Sequence, residues 1–206
     1  MLILSCSPHA GGSCEVIGDI LARTSRSNDE LTEFVRLREQ RILPCNGCGF
    51  CRLPVSDGCH QDIGGADDTF AILHAIRAAN LTIFVLPVYF YGPPAIFKAL
   101  VDRAQFFWNK KISTGQDLRP ARAVILGART RGERLFDANL LILRCFLSAL
   151  GFQLYNPLLL RGIETPEDVH GNAEVLAQLE QFGKESVEMA MAYGSEHPSC
   201  PFLSER

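Results

Sequence analysis

The chain alternates short continuous apolar runs with longer segments whose apolar positions recur every three or four residues. Residues 2–6, Leu-Ile-Leu-Ser-Cys, form the first run, the pattern of a strand buried on both faces. A Gly- and Ser-rich turn follows, and then Val16, Ile17, Ile20 and Leu21 share one helical face. Residues 31–37 alternate as a second strand. Residues 38–66 hold no convincing element, and an irregular connection that long inside a compact domain is usually functional. Asp67-Asp68-Thr69 provides an N-cap and a favourable charge for a helix whose apolar face is Phe70, Leu73 and Ile76. Residues 81–86 are the clearest buried strand, and 87–94 break it. Ile96, Phe97, Leu100, Val101 and Ala104 make the inner face of the next helix. Residues 121–126 read as a fourth strand and 152–160 as a fifth. Between them, 135–150 is apolar almost all round, which predicts deep burial or a subunit interface. Pro166 and Glu167 precede a long helix through Tyr193, with Val175, Leu176, Leu179 and Phe182 facing inward.

Alternating strands and helices with buried strands imply a parallel sheet covered on both faces. Five strands suit the doubly wound, flavodoxin-like order 2-1-3-4-5. The pattern contains no repeat and no linker, so residues 1–194 are expected to form one domain. A cysteine-rich loop, 44–60, is inserted after the second strand, and 195–206 form a loose tail.

Ligands of open parallel sheets bind beyond the carboxyl ends of the strands, where the strand order reverses. Three loops lie at such ends. The first carries Ser7, His9, Gly12, Ser13 and Cys14. Its hydroxyls, glycines and helix N-terminus favour a phosphate. It is neither a Walker loop nor G-x-G-x-x-G, which disfavours a dinucleotide fold of the usual kind. The second, Pro87, Val88, Tyr89, Phe90, Tyr91 and Gly92, brings three aromatics beside exposed backbone amides, a surface for a flat heterocycle. Together they suggest FMN. Arg129 and Thr130, in the third loop, are placed to meet its pyrimidine or an incoming nucleotide, although a solvated basic loop fits nearly as well.

Composition narrows the classes. The 206 residues are 47% hydrophobic and 21% charged, with a net charge of −3. That is an ordinary globular balance, without the basic footprint of a nucleic-acid binder. No apolar run is long enough to span a bilayer, and no signal-like segment precedes the first strand. The expectation is a cytoplasmic protein, where clustered thiols favour metal or redox roles over structural disulfides.

Half of the eight cysteines lie in residues 44–59. Cys45, Cys48 and Cys51 are spaced C-x2-C-x2-C, and Cys59 follows after seven residues. Bacterial ferredoxins use this tight run for three thiolates of a [4Fe–4S] cube, and Cys59 is the nearby fourth. Four thiolates also suit zinc, and a reduced or disulfide-bonded loop without metal is the plain alternative. Cys6, Cys14 and Cys145 read as small core or near-core residues. Cys14 also sits near a helix N-terminus, a place that lowers thiol pKa.

Ser7-Pro8 with Gly11-Gly12-Ser13 resembles the phosphate loop of the NADPH-dependent FMN reductases. The 87–92 loop, with Lys98 and Asp102-Arg103 after it, looks like that family's isoalloxazine loop and following helix. The Cys45/Cys48/Cys51/Cys59 set with Asp67-Asp68 resembles one branch, the iron–sulfur flavoproteins. The likeness runs from residue 1 to about 103. The family's phosphate loop often has a basic residue where this chain has His9, and Thr where it has Cys14.

This resemblance implies a redox enzyme that couples FMN to a [4Fe–4S] cluster. It would work between NAD(P)H or another reductant and a ferredoxin-like carrier, as a homodimer or homotetramer, with no essential acid, base or nucleophile among its side chains. Two alternatives stand beside it. One is an NAD(P)H-dependent FMN or quinone reductase whose cysteine loop is structural or redox-sensing. The other is a zinc-stabilised binding module.

Overall fold

The computed structural model describes residues 1–27, 31–62, 65, 67–110 and 118–196. The strands are β1 (Leu2–Ser5), β2 (Glu33–Arg36), β3 (Thr82–Pro87), β4 (Arg119–Gly127), β5 (Phe152–Leu154) and β6 (Leu158–Arg161). The helices are α1 (Ser13–Arg26), α2 (Thr69–Ala78), α3 (Ala95–Arg103), α4 (Gln105–Asn109), α5 (Asp137–Leu150), α6 (Pro166–His170) and α7 (Ala173–Glu196). All strand pairs are parallel, in the order β2-β1-β3-β4-β5, with β6 also on β4. This is the expected flavodoxin-like sheet.

Side-chain alternation divides the core into two layers. Leu2, Leu4, Phe84, Leu86, Ala123 and Ile125 face one way, and α2 to α5 cover them with Leu73, Phe97, Phe107 and Phe146. Ile3, Ile83, Val85, Val124 and Leu126 face the other way, against Ile17 and Leu21 of α1 and Leu179 and Phe182 of α7. A sheet buried on both sides cannot show a polar face, which is why the strands read as continuous apolar runs.

Three elements depart from the pattern reading. The single fifth strand is two pieces, one paired with residues 119–121 and the other with 124–127 of β4. Pro157 between them has no N–H to donate, and Asn156 takes a left-handed φ of 39°. Buried Arg122 crosses the gap and donates to the Asn156 carbonyl (3.3 Å). The long C-terminal helix breaks after His170, because Asn172 Oδ1 accepts the N–H groups of Glu174 and Val175 and so starts α7 afresh. The short α4 was not legible as a helix at all. α7 continues through Glu196, and the rest of the expected tail, with Cys200, lies outside the described residues. α5 is buried on one face only, leaving Leu141 63% exposed. Among the described residues no helix is long and apolar enough to cross a membrane.

Candidate functional site

The loops after β1, β3 and β4 leave the sheet at the edge where β1 and β3 lie side by side. The β1 loop turns through Gly11 at φ +64°. The His9 N–H donates to Ser7 Oγ (3.1 Å), and Ser13 Oγ donates to the Glu164 carbonyl (3.2 Å). The amides of Gly12, Ser13 and Cys14, at the head of α1, have no protein acceptor among the described residues. Free N–H groups at a helix N-terminus are an arrangement that favours an anion.

The neighbouring Gly11 N–H is engaged by Glu15 Oε2 (3.0 Å). Glu15 also pairs with Arg38, and Arg36 stands 3.8 Å away. Burial pushes the Glu15 carboxyl up. Hydrogen bonds from Arg38 and the Gly11 N–H, and the nearby arginine charges, outweigh it and hold the group below the usual carboxylate range. Cys14 is buried, as expected of a small core residue, and the helix N-terminus does not lower its thiol pKa. Burial, with the adjacent Glu15 charge, pushes it up to about 12, so its place near a helix N-terminus does not yield a reactive thiolate. Burial likewise raises Cys6. Cys145, expected near the core, is exposed.

The β3 loop doubles back on itself. Tyr89 and Gly92 exchange backbone hydrogen bonds of 2.8 Å in each direction. Phe90 and Tyr91, at the tip, have φ of 47° and 65°, a pair of left-handed aromatics that costs about 1–2 kcal/mol per residue. Such strain collects at functional sites. It projects Phe90 into solvent and leaves Tyr91 half-exposed. The Tyr89 ring lies 6.3 Å from the His9 ring, so the first two loops come together.

The β4 loop completes the wall. Arg129 Nη1 donates to the Tyr91 hydroxyl (2.9 Å). Val88, Phe90, Tyr91, Gly127, Ala128, Arg129 and Leu135 line a cleft of about 280 Å³. Pro87 ends β3, and the Val88 N–H donates to the Leu126 carbonyl (2.9 Å), fixing the floor. Thr130 turns aside and packs its methyl near Gly162.

The cysteine segment is closed at its neck. Asp68 and Arg41 bond each other through backbone and side chain (2.8 and 2.7 Å). Asp67 Oδ2 accepts the Leu43 N–H (3.0 Å). Arg103 Nη1 then joins both strands of the neck, donating to Asp67 (2.6 Å) and to the Leu43 carbonyl (3.1 Å). The aspartates expected to cap α2 therefore serve mainly to seal the loop; only Asp67 also accepts from Thr69 (3.2 Å). Burial pushes the Asp67 carboxyl up, but hydrogen bonds from Arg103, Leu43 and Thr69 outweigh that and lower it.

Inside the loop Gln61 bridges to Asn46 and Pro44 (both 3.1 Å). Gly47 and Gly49 supply left-handed turns at φ 72° and 74°. All four cysteines are free thiols; Cys45 and Cys48 are exposed, and Cys51 and Cys59 half-buried. Among the described residues no group of three or more Cys, His, Asp or Glu side chains is arranged to hold a metal ion. The donor set still suits an iron–sulfur group chemically: four soft thiols, none spent on a disulfide, on a chain that bends where glycine permits. Glu15, Gln61, Arg103 and Asn109 escaped the sequence reading, save Arg103 as part of a motif, because their roles depend on partners far along the chain.

The model of the NADPH-dependent FMN reductase family matches residues 1–147. An iron-sulfur flavoprotein of Methanosarcina thermophila is 32% identical over 130 residues, 63% of this chain and 64% of that protein. One of Archaeoglobus fulgidus is 28% identical over 102 residues, 50% of this chain and 49% of its own. The matches thus span about half to just under two thirds of these relatives. An FMN-dependent NADH-azoreductase of Bacillus anthracis, solved in complex with FMN, superposes with a TM-score of 0.63 at 15% identity, over 89% of this chain and 97% of that one. The superposition shows a shared fold. The family match includes all three loops and the whole cysteine run, and the chain belongs to the NADPH-dependent FMN reductase family.

Proposed function

We propose that this chain is an FMN-dependent oxidoreductase that couples its flavin to a [4Fe–4S] cluster. The observation that carries the flavin part is the meeting of the unpartnered α1 amides with the strained aromatic turn and Arg129 at the β1/β3 switch point. The free amides of Gly12, Ser13 and Cys14, with Ser7 and Ser13, would hold the phosphate. The 87–92 turn would lie along the ring, its backbone aimed by the Tyr89–Gly92 bridge, and Arg129 would be steadied by Tyr91. Val88 and Leu135 exclude water from the floor. FMN supplies hydride acceptance and single-electron release, and a cube carries one electron at a time.

Cys45, Cys48, Cys51 and Cys59 would hold the cluster. That assignment is supported by their spacing, their free thiols and the names of the two curated relatives. On this reading the reductant is NAD(P)H or a similar donor and the acceptor a ferredoxin-like carrier. The protein is cytoplasmic, with residues 1–194 as one domain. Exposed Leu141 on α5 and exposed Trp108 on α4 support a homodimer or homotetramer, which sedimentation would test.

The deciding experiment is a visible spectrum of anaerobically purified protein, with iron, acid-labile sulfide and released FMN counted per chain. About four iron and four sulfide beside one FMN is the expected result, lost in Cys48→Ser while FMN stays bound. FMN without iron after reconstitution would leave a plain flavin reductase. Absence of FMN would overturn the whole reading.

A further inference from the structure

Of the two half-buried cysteines, Cys51 meets a donor group of the protein body. Asn109 Nδ2 points at Cys51 Sγ from 3.3 Å. The Arg103 Nε–H has no acceptor among the described residues. Both side chains come from the α3–α4 corner, and both are anchored. Arg103 is held by Asp67 and the Leu43 carbonyl with its side chain wholly shielded from solvent. Asn109 is held at the end of α4, where Gln105 Nε2 donates to its Oδ1 (3.2 Å) and leaves its NH2 for the sulfur. Lys110, the next residue, donates to the Leu53 and Pro54 carbonyls (2.8 and 3.2 Å) and fixes the loop against the same corner.

A neutral thiol gains little from such donors. A thiolate bound to iron gains more, because each N–H aimed at sulfur stabilises negative charge there, and added electron density falls largely on the sulfurs. Cys45 and Cys48 are exposed and carry no side-chain donor among the described residues.

We propose that Asn109 is a positioning residue of the cysteine centre, whose N–H on Cys51 raises its reduction potential and biases it toward the reduced state. The inference rests on the cluster reading above. It extends that reading to a residue outside the cysteine run, separated from its sulfur by α2, β3 and α3 in the chain. It also gives α4 a purpose: this five-residue helix carries Asn109 to Cys51.

The test is a potentiometric titration of the reconstituted cluster, followed by its spin signal, in the full-length FMN-loaded protein. Asn109→Ala should keep four iron and one FMN per chain and shift the midpoint to more negative potential. Asn109→Asp, which sets a carboxylate against the sulfur, should shift it further or lose iron. Unchanged midpoints in both Asn109 variants at full iron content would overturn the inference and leave the cluster reading standing. Wild-type protein that takes up FMN but no iron would overturn both.

Discussion

Arg103 and Asp67 meet at 2.6 Å with neither side chain exposed to solvent. The pair joins the end of α3 to the closing strand of the cysteine loop, and through the Leu43 carbonyl to its opening strand. Removing one partner of a buried pair leaves the other charge uncompensated, at a cost of about 3–5 kcal/mol. Arg103→Met should lose that much unfolding free energy in urea. Lys98→Ala removes only an exposed i,i+4 pair with Asp102 and should cost under about 1 kcal/mol. Equal losses in the two variants would show that the neck is not held by the buried pair.

Glu15 makes the fold sensitive to acid. Its folded-state pKa is lowered, so the ionised group contributes stability at pH values above the unfolded carboxylate range. That contribution is lost as pH falls through the lowered folded value. Wild type should exceed Glu15→Gln in stability at neutral pH, and the gap should narrow as the solution is acidified. Paired denaturation curves across that range check the sign; a gap that widens in acid contradicts it.

The aromatic turn trades stability for shape. Both tip residues have positive φ, the requirement of a type I′ turn, which Asn-Gly meets with least strain. Replacing Phe90 with Asn and Tyr91 with Gly together should raise the thermal midpoint, by the equivalent of about 1 kcal/mol. The same change removes the Tyr91 hydroxyl that steadies Arg129 and should weaken FMN retention on dialysis. A variant that is more stable and holds FMN as well as wild type would mean the strain serves no flavin contact.

Asn139 is buried completely in the first turn of α5, and neither atom of its amide has a partner among the described residues. An unpaired buried polar group costs about 1–3 kcal/mol. Asn139→Leu, close in shape, should therefore be neutral or stabilising in calorimetry. A loss of several kcal/mol would reveal an essential polar contact at that position.

The sequence by itself determined the sheet. Apolar runs at a strand period, separated by helical periods, leave few ways to bury every strand on both faces, and the right-handed crossover rule selects among them. It also marked the two loops proposed to hold the flavin, because glycines, hydroxyls and clustered aromatics announce themselves over a few consecutive residues. The spacing of Cys45, Cys48, Cys51 and Cys59 was legible for the same reason. Only the tertiary structure decided what lies between these parts. The break in the fifth strand position depends on Arg122 reaching Asn156, and the strain at Phe90 and Tyr91 depends on the ladder that Tyr89 closes with Gly92. The neck pair spans 36 residues and the Asn109–Cys51 contact spans 58. Local pattern carries no information about such pairs, since one long polar side chain reads like any other until packing buries it beside its partner and makes the absence of that partner costly.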